Sequence, residues 1–110
     1  MHALVVTFDM ADGLQALRRP SGTPMRVDEY VSDLRARTGF LAKTWLRDGD
    51  TYGGFYLFAD RAAAERYLAE EIEPLGRANP AMTNRRVRHF DTLEELSELT
   101  LGLPVAGAGV

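Results

Sequence analysis

Two runs rich in aromatic and aliphatic residues, Phe40 to Arg47 and Thr51 to Ala59, flank the tripeptide Asp48-Gly49-Asp50. Such a pair of runs around an Asp-Gly turn specifies a β-hairpin, because glycine supplies the positive φ that the tight turn needs. Side chains alternate along a strand, so the register decides which residues share a face. With Asp48-Gly49 as the turn, Phe40 meets Leu57, Ala42 meets Phe55 and Thr44 meets Gly53. Placing the turn at Gly49-Asp50 slides the partners but keeps the faces. One face then carries Phe40, Ala42, Leu46, Phe55 and Leu57, and the other Leu41, Lys43, Trp45, Tyr52, Gly54, Tyr56 and Phe58. A bulge or a three-residue loop would break this assignment.

The rest of the chain builds a small fold around that hairpin. Ala3 to Phe8 is a short, β-branched run and reads as a first strand. A long polar connection follows, punctuated by Asp12-Gly13 and by Pro20 to Pro24, and loops of that length in small domains are often functional. Val27, Tyr30, Val31 and Leu34 then recur at helical spacing, with acids early, arginines late and Gly39 just beyond. After the hairpin, Asp60 is placed to cap a second helix with Ala64, Tyr67, Leu68, Ile72 and Leu75 on its apolar face and Pro74 weakening its end. Thr83 to Phe90 reads as a last strand. Thr92-Leu93-Glu94-Glu95 has the form of a capping box before Leu96 and Leu99. The order βαββαβ is the α+β, ferredoxin-like arrangement with a four-stranded antiparallel sheet. One domain is expected over residues 1–100, with a flexible C-terminal tail at 101–110.

Two helices on one side of a sheet leave the other side bare. Leu4, Val6 and Phe8 are expected to join the Phe40, Ala42 and Leu57 face beneath the helices. The Lys43, Trp45 and Tyr56 face, extended by Val5, Thr7 and Asp9, is expected to be the exposed one. An aromatic patch of that size calls for a partner. A second copy, sheet against sheet, would give a homodimer enclosing an inter-sheet cavity.

Composition excludes much chemistry. There is no cysteine, and His2 and His89 are the only histidines. Disulfides, thiolate metal sites, iron–sulfur clusters and thiol nucleophiles are ruled out. The net charge of −3 offers no general attraction to nucleic acid, and the basic run Arg85, Arg86 and Arg88 reads more readily as a solvated strand face. The N-terminal apolar stretch is too short for a membrane span or a signal-peptide core, so a cytoplasmic protein with no membrane partner is expected.

The run Gly39-Phe40-Leu41-Ala42-Lys43-Thr44-Trp45, then Gly53-Gly54-Phe55-Tyr56-Leu57-Phe58-Ala59-Asp60, Tyr67-Leu68 and Phe90-Asp91, resembles the YdhR-type monooxygenase family from Gly39 to about Leu99. The resemblance implies a dimeric α+β barrel that oxygenates small aromatic compounds. Its wider superfamily includes cofactor-independent oxygenases, isomerases, polyketide cyclases, haem-handling proteins and ligand sensors, so fold membership alone does not fix function.

Oxygenation without metal or flavin requires the substrate to give electrons to O₂, usually as a phenolate or stabilised carbanion. The expected catalytic residues are His89 as general base, Asp9 as reserve base and Lys43 as oxyanion partner. The expected substrate contacts are Trp45, Tyr56, Tyr52 and Phe58, with Gly54 admitting a ligand to the backbone and Arg86 or Arg88 binding an acidic substituent. The last strand's parity is open: either Val87 and His89 or Arg86, Arg88 and Phe90 face the cavity. No cofactor or metal is expected. The alternatives are an isomerase or cyclase on a related small molecule and a non-enzymatic ligand-binding dimer.

Overall fold

The structure, a computed structural model, describes residues 1–103. Strand β1 (His2–Asp9) lies between β3 (Thr51–Phe58) and β4 (Thr83–Asp91), and β2 (Phe40–Asp48) borders β3 at the edge. Every pairing is antiparallel. Helix α1 (Val27–Arg35) joins β1 to β2. Helix α2 (Arg61–Tyr67), a π-helical segment (Leu68–Ile72) and α3 (Glu73–Ala78) join β3 to β4, and α4 (Glu94–Leu99) follows. This is the expected ferredoxin-like α+β sheet. The expected tail at 101–110 lies, from residue 104 on, outside the described residues.

The hairpin turns at Gly49-Asp50: Asp48 pairs with Thr51, and Gly49 takes a φ of 59°. Lys43 therefore lies opposite Tyr56 and Trp45 opposite Gly54. The register shifts between Phe40 and Ala42. That bulge moves Phe40 onto the Phe58 face, where the two rings meet edge to face at 6.0 Å.

The first strand buries its expected face, Leu4, Val6 and Phe8, beneath the helices, but the hairpin buries the face opposite to the expected one. Leu4, Val6 and Phe8 pair with Tyr56, Gly54 and Tyr52, so the buried aliphatics of β1 share a face with Lys43, Trp45, Tyr56 and Phe58. Tyr56 and Phe58 belong to the core with Tyr30, Leu34, Tyr67 and Ile72 of the helices. Val5, Thr7 and Asp9 instead share the open face with Ala42, Thr44, Leu46 and Phe55. The physical reason is the register between β1 and β3, which alternation within the hairpin cannot reveal. A face of tyrosines reads as exposed, yet their rings bury well once their hydroxyls bond one another.

Local signals explain the helical layer. Asp60 caps α2, its carboxylate accepting from the Ala63 N–H at 2.8 Å. Pro74 has no N–H to give to the carbonyl of Glu70, and the π-helical turn that precedes it accommodates the loss. That wider turn also keeps Tyr67, Ile72 and Leu75 all facing the sheet. The capping box does not form: the Thr92 hydroxyl donates to the Met1 carbonyl, and α4 starts without a side-chain cap.

The long connection after β1 is folded onto the helix-covered side. Met10 and Leu17 are buried with Phe8, Tyr52 and Leu75 in a second core cluster. Buried Asn79 fastens it: its side chain accepts from the Arg18 N–H and donates to the carbonyls of Arg18 and Leu75, each at 2.8 Å. Among the described residues no helix is long and apolar enough to cross a membrane.

Candidate active site

A cavity of about 320 Å³ lies between the sheet and its helical cover. Strand β1 contributes Val6 and Phe8, the connection contributes Leu14, Gln15, Leu17 and Met25, and α1 contributes Val27 and Tyr30. The hairpin adds Lys43, Trp45, Gly53 and Tyr56, and α3 adds Leu75. The wall is largely apolar and aromatic with few polar groups, the usual character of a small-molecule site.

Those polar groups are connected. The Lys43 Nζ donates to the Tyr30 hydroxyl at 2.9 Å. Tyr30 bonds Tyr67 at 2.5 Å, Tyr67 bonds Tyr56 at 3.0 Å, and Tyr56 lies 3.4 Å from Tyr30. Each of these hydroxyls has a partner, which is what a buried polar cluster needs. Burial raises the pKa of all three phenols, so they stay protonated at neutral pH.

Lys43 is the chain's only lysine, the other basic residues being twelve arginines. Burial pulls its pKa down from 10.5 to about 7, against a weaker upward pull from Glu71. Glu71 is itself engaged by Arg37 at 3.6 Å. The amine also sits over aromatic faces, 3.6 Å from the Trp45 ring centre, 4.6 Å from Tyr30 and 4.8 Å from Tyr56. These faces favour the ammonium form and offset part of the desolvation. Both charge states are therefore accessible near neutral pH. Trp45, on the edge strand and 48% exposed, is the open side of the cavity.

Gly54 makes room for this arrangement. A Cβ there would lie 2.7 Å from the Lys43 Cε and 2.9 Å from the Tyr56 ring. Of the residues expected from sequence, Lys43, Trp45 and Tyr56 line the cavity, and Gly54 lies behind them. Tyr52 and Phe58 share their side of the sheet but pack into the two core clusters.

Three expected residues lie elsewhere. His89 pairs with Leu4, which settles the parity of β4: Val87 and His89 point to the helix side, Arg86 and Arg88 to the open side. His89 nevertheless sits near the β1 start, bonded to His2, and is not part of the cavity wall. Asp9 accepts from Thr51 at 2.6 Å and from Asn84 at 2.8 Å where β1 and β4 slip register. Those two hydrogen bonds lower its pKa and tie β1 to β3 and β4 on the open face, outside the cavity wall. Arg86 stands beside it on the open face. Tyr30, Tyr67 and residues of the connection also belong to the site, beyond those that the sequence points to. Tyr30 and Tyr67 each sit on an apolar helix stripe and read as packing, and their convergence on Lys43 is a tertiary fact.

A family model described as "Putative mono-oxygenase ydhR" matches residues 8–103. The chain belongs to the ydhR family. A search of curated proteins finds no match. Among solved structures, a protein of unknown function from Nitrosomonas europaea, NE2512, is 22% identical with a TM-score of 0.57, over 84% of this chain and 88% of that one. SnoaB of Streptomyces nogalater, a cofactor-independent oxygenase, is 19% identical with a TM-score of 0.52, over 83% of this chain and 91% of its own. A mutant of SnoaB gives 18% and 0.53. At these identities the solved structures speak for the fold, and the ydhR match carries the family.

Proposed function

We propose that this ydhR-family chain is a cofactor-independent monooxygenase that oxidises a small phenolic or polyketide-like aromatic with O₂, in the cavity between sheet and helices. The observation that carries it is the Lys43 amine, set in an aromatic cavity 2.9 Å from the Tyr30 hydroxyl, where burial pulls its pKa down to about 7. The neutral amine takes the phenol proton, and the resulting ammonium holds the phenolate by charge and hydrogen bond. Trp45 offers a flat face for the ring. The phenolate passes an electron to O₂, the radicals combine at carbon, and the peroxide loses water to leave a quinone. Phenol and O₂ thus become quinone and water, with no external reductant.

In this reading the protein works as a cytoplasmic homodimer. Leu46, Phe55 and Phe90 are exposed on the open sheet face, as are Leu96 and Leu99 of α4 with Leu93 before it. A second copy covers apolar surface of that extent economically. Sedimentation equilibrium of the wild type and of Phe55→Glu tests it, with dimer expected for the first and monomer for the second. A monomeric wild type at micromolar concentration removes the dimer.

The activity test is O₂ uptake by metal-free, flavin-free protein with an anthrone or an electron-rich phenol. Uptake is expected, with a loss of about 100-fold or more in Lys43→Met. Product that forms equally under argon assigns isomerase or cyclase chemistry instead. No turnover across a broad phenol panel overturns the reading.

A further inference from the structure

We propose that Lys43 is a nucleophile as well as a base, and that the cavity captures small aryl or β-dicarbonyl compounds as a Schiff base on its amine. This goes beyond oxygenation, since imine formation consumes no O₂.

Three placements carry it. Lys43 is the sole lysine, and the chain sets it half-buried in the wall of an apolar cavity, its amine against aromatic rings, where lysines ordinarily extend into solvent. Among the described residues it makes no ion pair; Glu71 bonds to Arg37 instead. Tyr30 places a hydroxyl 2.9 Å from Nζ, a positioned proton donor and acceptor beside the reacting atom. An amine kept partly neutral by desolvation is what carbonyl capture requires, and lysines that form Schiff bases are activated in this way. Its surroundings agree: Tyr30 from α1, Tyr56 from β3 and Tyr67 from α2 are neutral phenols, and the charges beyond them, Glu71 and Arg37, pair with each other.

The step balances without a redox partner. The Nζ lone pair bonds to the carbonyl carbon, and the C=O π pair moves to oxygen, which takes a proton from the Tyr30 hydroxyl. The first amine proton passes to the Tyr30 oxygen and restores its hydroxyl; that hydroxyl then protonates the carbinolamine oxygen, which leaves as water as the nitrogen lone pair forms C=N, and the second amine proton returns to Tyr30. Amine and carbonyl have become imine and water. A space of about 320 Å³ admits one aromatic ring with a short side chain.

Borohydride trapping reads this directly. Wild-type protein is incubated under argon with benzaldehyde or acetylacetone, reduced with sodium borohydride, and peptide-mapped by mass spectrometry. With no other lysine, the α-amino group is the only competing amine. The expected result is a Lys43 adduct formed at least about tenfold faster than in urea-denatured protein, with a pH midpoint near neutrality, slowed by planar phenols and by Tyr30→Phe. Lys43→Arg, checked for folding by its melting curve, retains only the α-amino product. Modification confined to the α-amino group, or a Lys43 rate no greater folded than unfolded, overturns the proposal. Because O₂ is absent, the outcome is separate from the oxygen-uptake result.

Discussion

His2 Nε2 and His89 Nδ1 face each other at 2.7 Å, and only one of them can carry the hydrogen between them. Two protonated imidazoles would set N–H against N–H, and the Arg61 charge nearby adds to the penalty. The pKa of His89 is lowered, by burial first, then by Arg61 and His2. The folded state thus binds protons less readily than the unfolded chain. Stability is complete above the ordinary value of 6.5 and is lost as pH falls through the folded one. Melting temperature against pH is expected to be level above that value and to decline below it. His89→Gln keeps an acceptor without titrating, and flattens this limb. A second limb at lower pH remains, from Asp9, whose lowered pKa makes its contribution present above 3.8 and lost in stronger acid.

The three phenols provide a test of the core. Tyr67→Phe removes the hydroxyl that bonds both others and leaves Tyr30 and Tyr56 at 3.4 Å, the longest side of the triangle. The ring still fills its space, so the loss is that of a buried polar partner, about 1–3 kcal/mol. Because Tyr30 and Tyr67 share the network, the double variant Tyr30→Phe with Tyr67→Phe costs less than the two singles added. Urea unfolding of the four proteins measures the coupling, and strict additivity would show the hydroxyls to be independent.

Asn79→Ala separates the connection from the frame. The change leaves the Arg18 N–H and the carbonyls of Arg18 and Leu75 without their partner, at a cost of about 1–3 kcal/mol. Its larger effect is local: backbone amides between residues 14 and 25 exchange faster with deuterium, while those of β1 and β3 keep their protection. Since Leu14, Leu17 and Met25 line the cavity, affinity for an aromatic ligand falls with them.

The hairpin, the order of elements along the chain and the cap at Asp60 are legible because each is a local signal: a turn glycine, a change of periodicity, an Asp before a helix. Which face of the hairpin meets the helices is not, since that depends on Leu4 lying opposite Tyr56 across two strands far apart in sequence. For the same reason, alternation alone puts Lys43 on the bare face of the sheet, whereas it lies beneath the helices. Lys43, Trp45 and Tyr56 were nevertheless correctly grouped, because grouping needs only alternation. Tyr30 and Tyr67 read as core from their helix stripes and belong to it; their hydroxyls converge on the site only when helix and hairpin pack together. His89 offers the chemistry of a base, and nothing in the sequence places it beside His2 at the start of β1, away from the cavity.

Gly54 and Lys43 give the sharpest test of the site. A methyl at Gly54 meets the lysine stem at 2.7 Å and the Tyr56 ring at 2.9 Å. The ring is held by Phe58 and Tyr67, so the stem must give way. In Gly54→Ala the amine is displaced from Tyr30 toward water, and its pKa climbs from about 7 toward the ordinary 10.5. At pH 7 the neutral form of the amine then becomes scarce. Overpacking costs about 1–3 kcal/mol of stability, so the fold persists. The variant is expected to lose carbonyl trapping and oxygen uptake together at pH 7 and to recover part of both as pH rises. Reductive methylation followed across pH by NMR reads the amine itself. A midpoint unchanged from wild type would show that Gly54 does not hold Lys43 in its desolvated place.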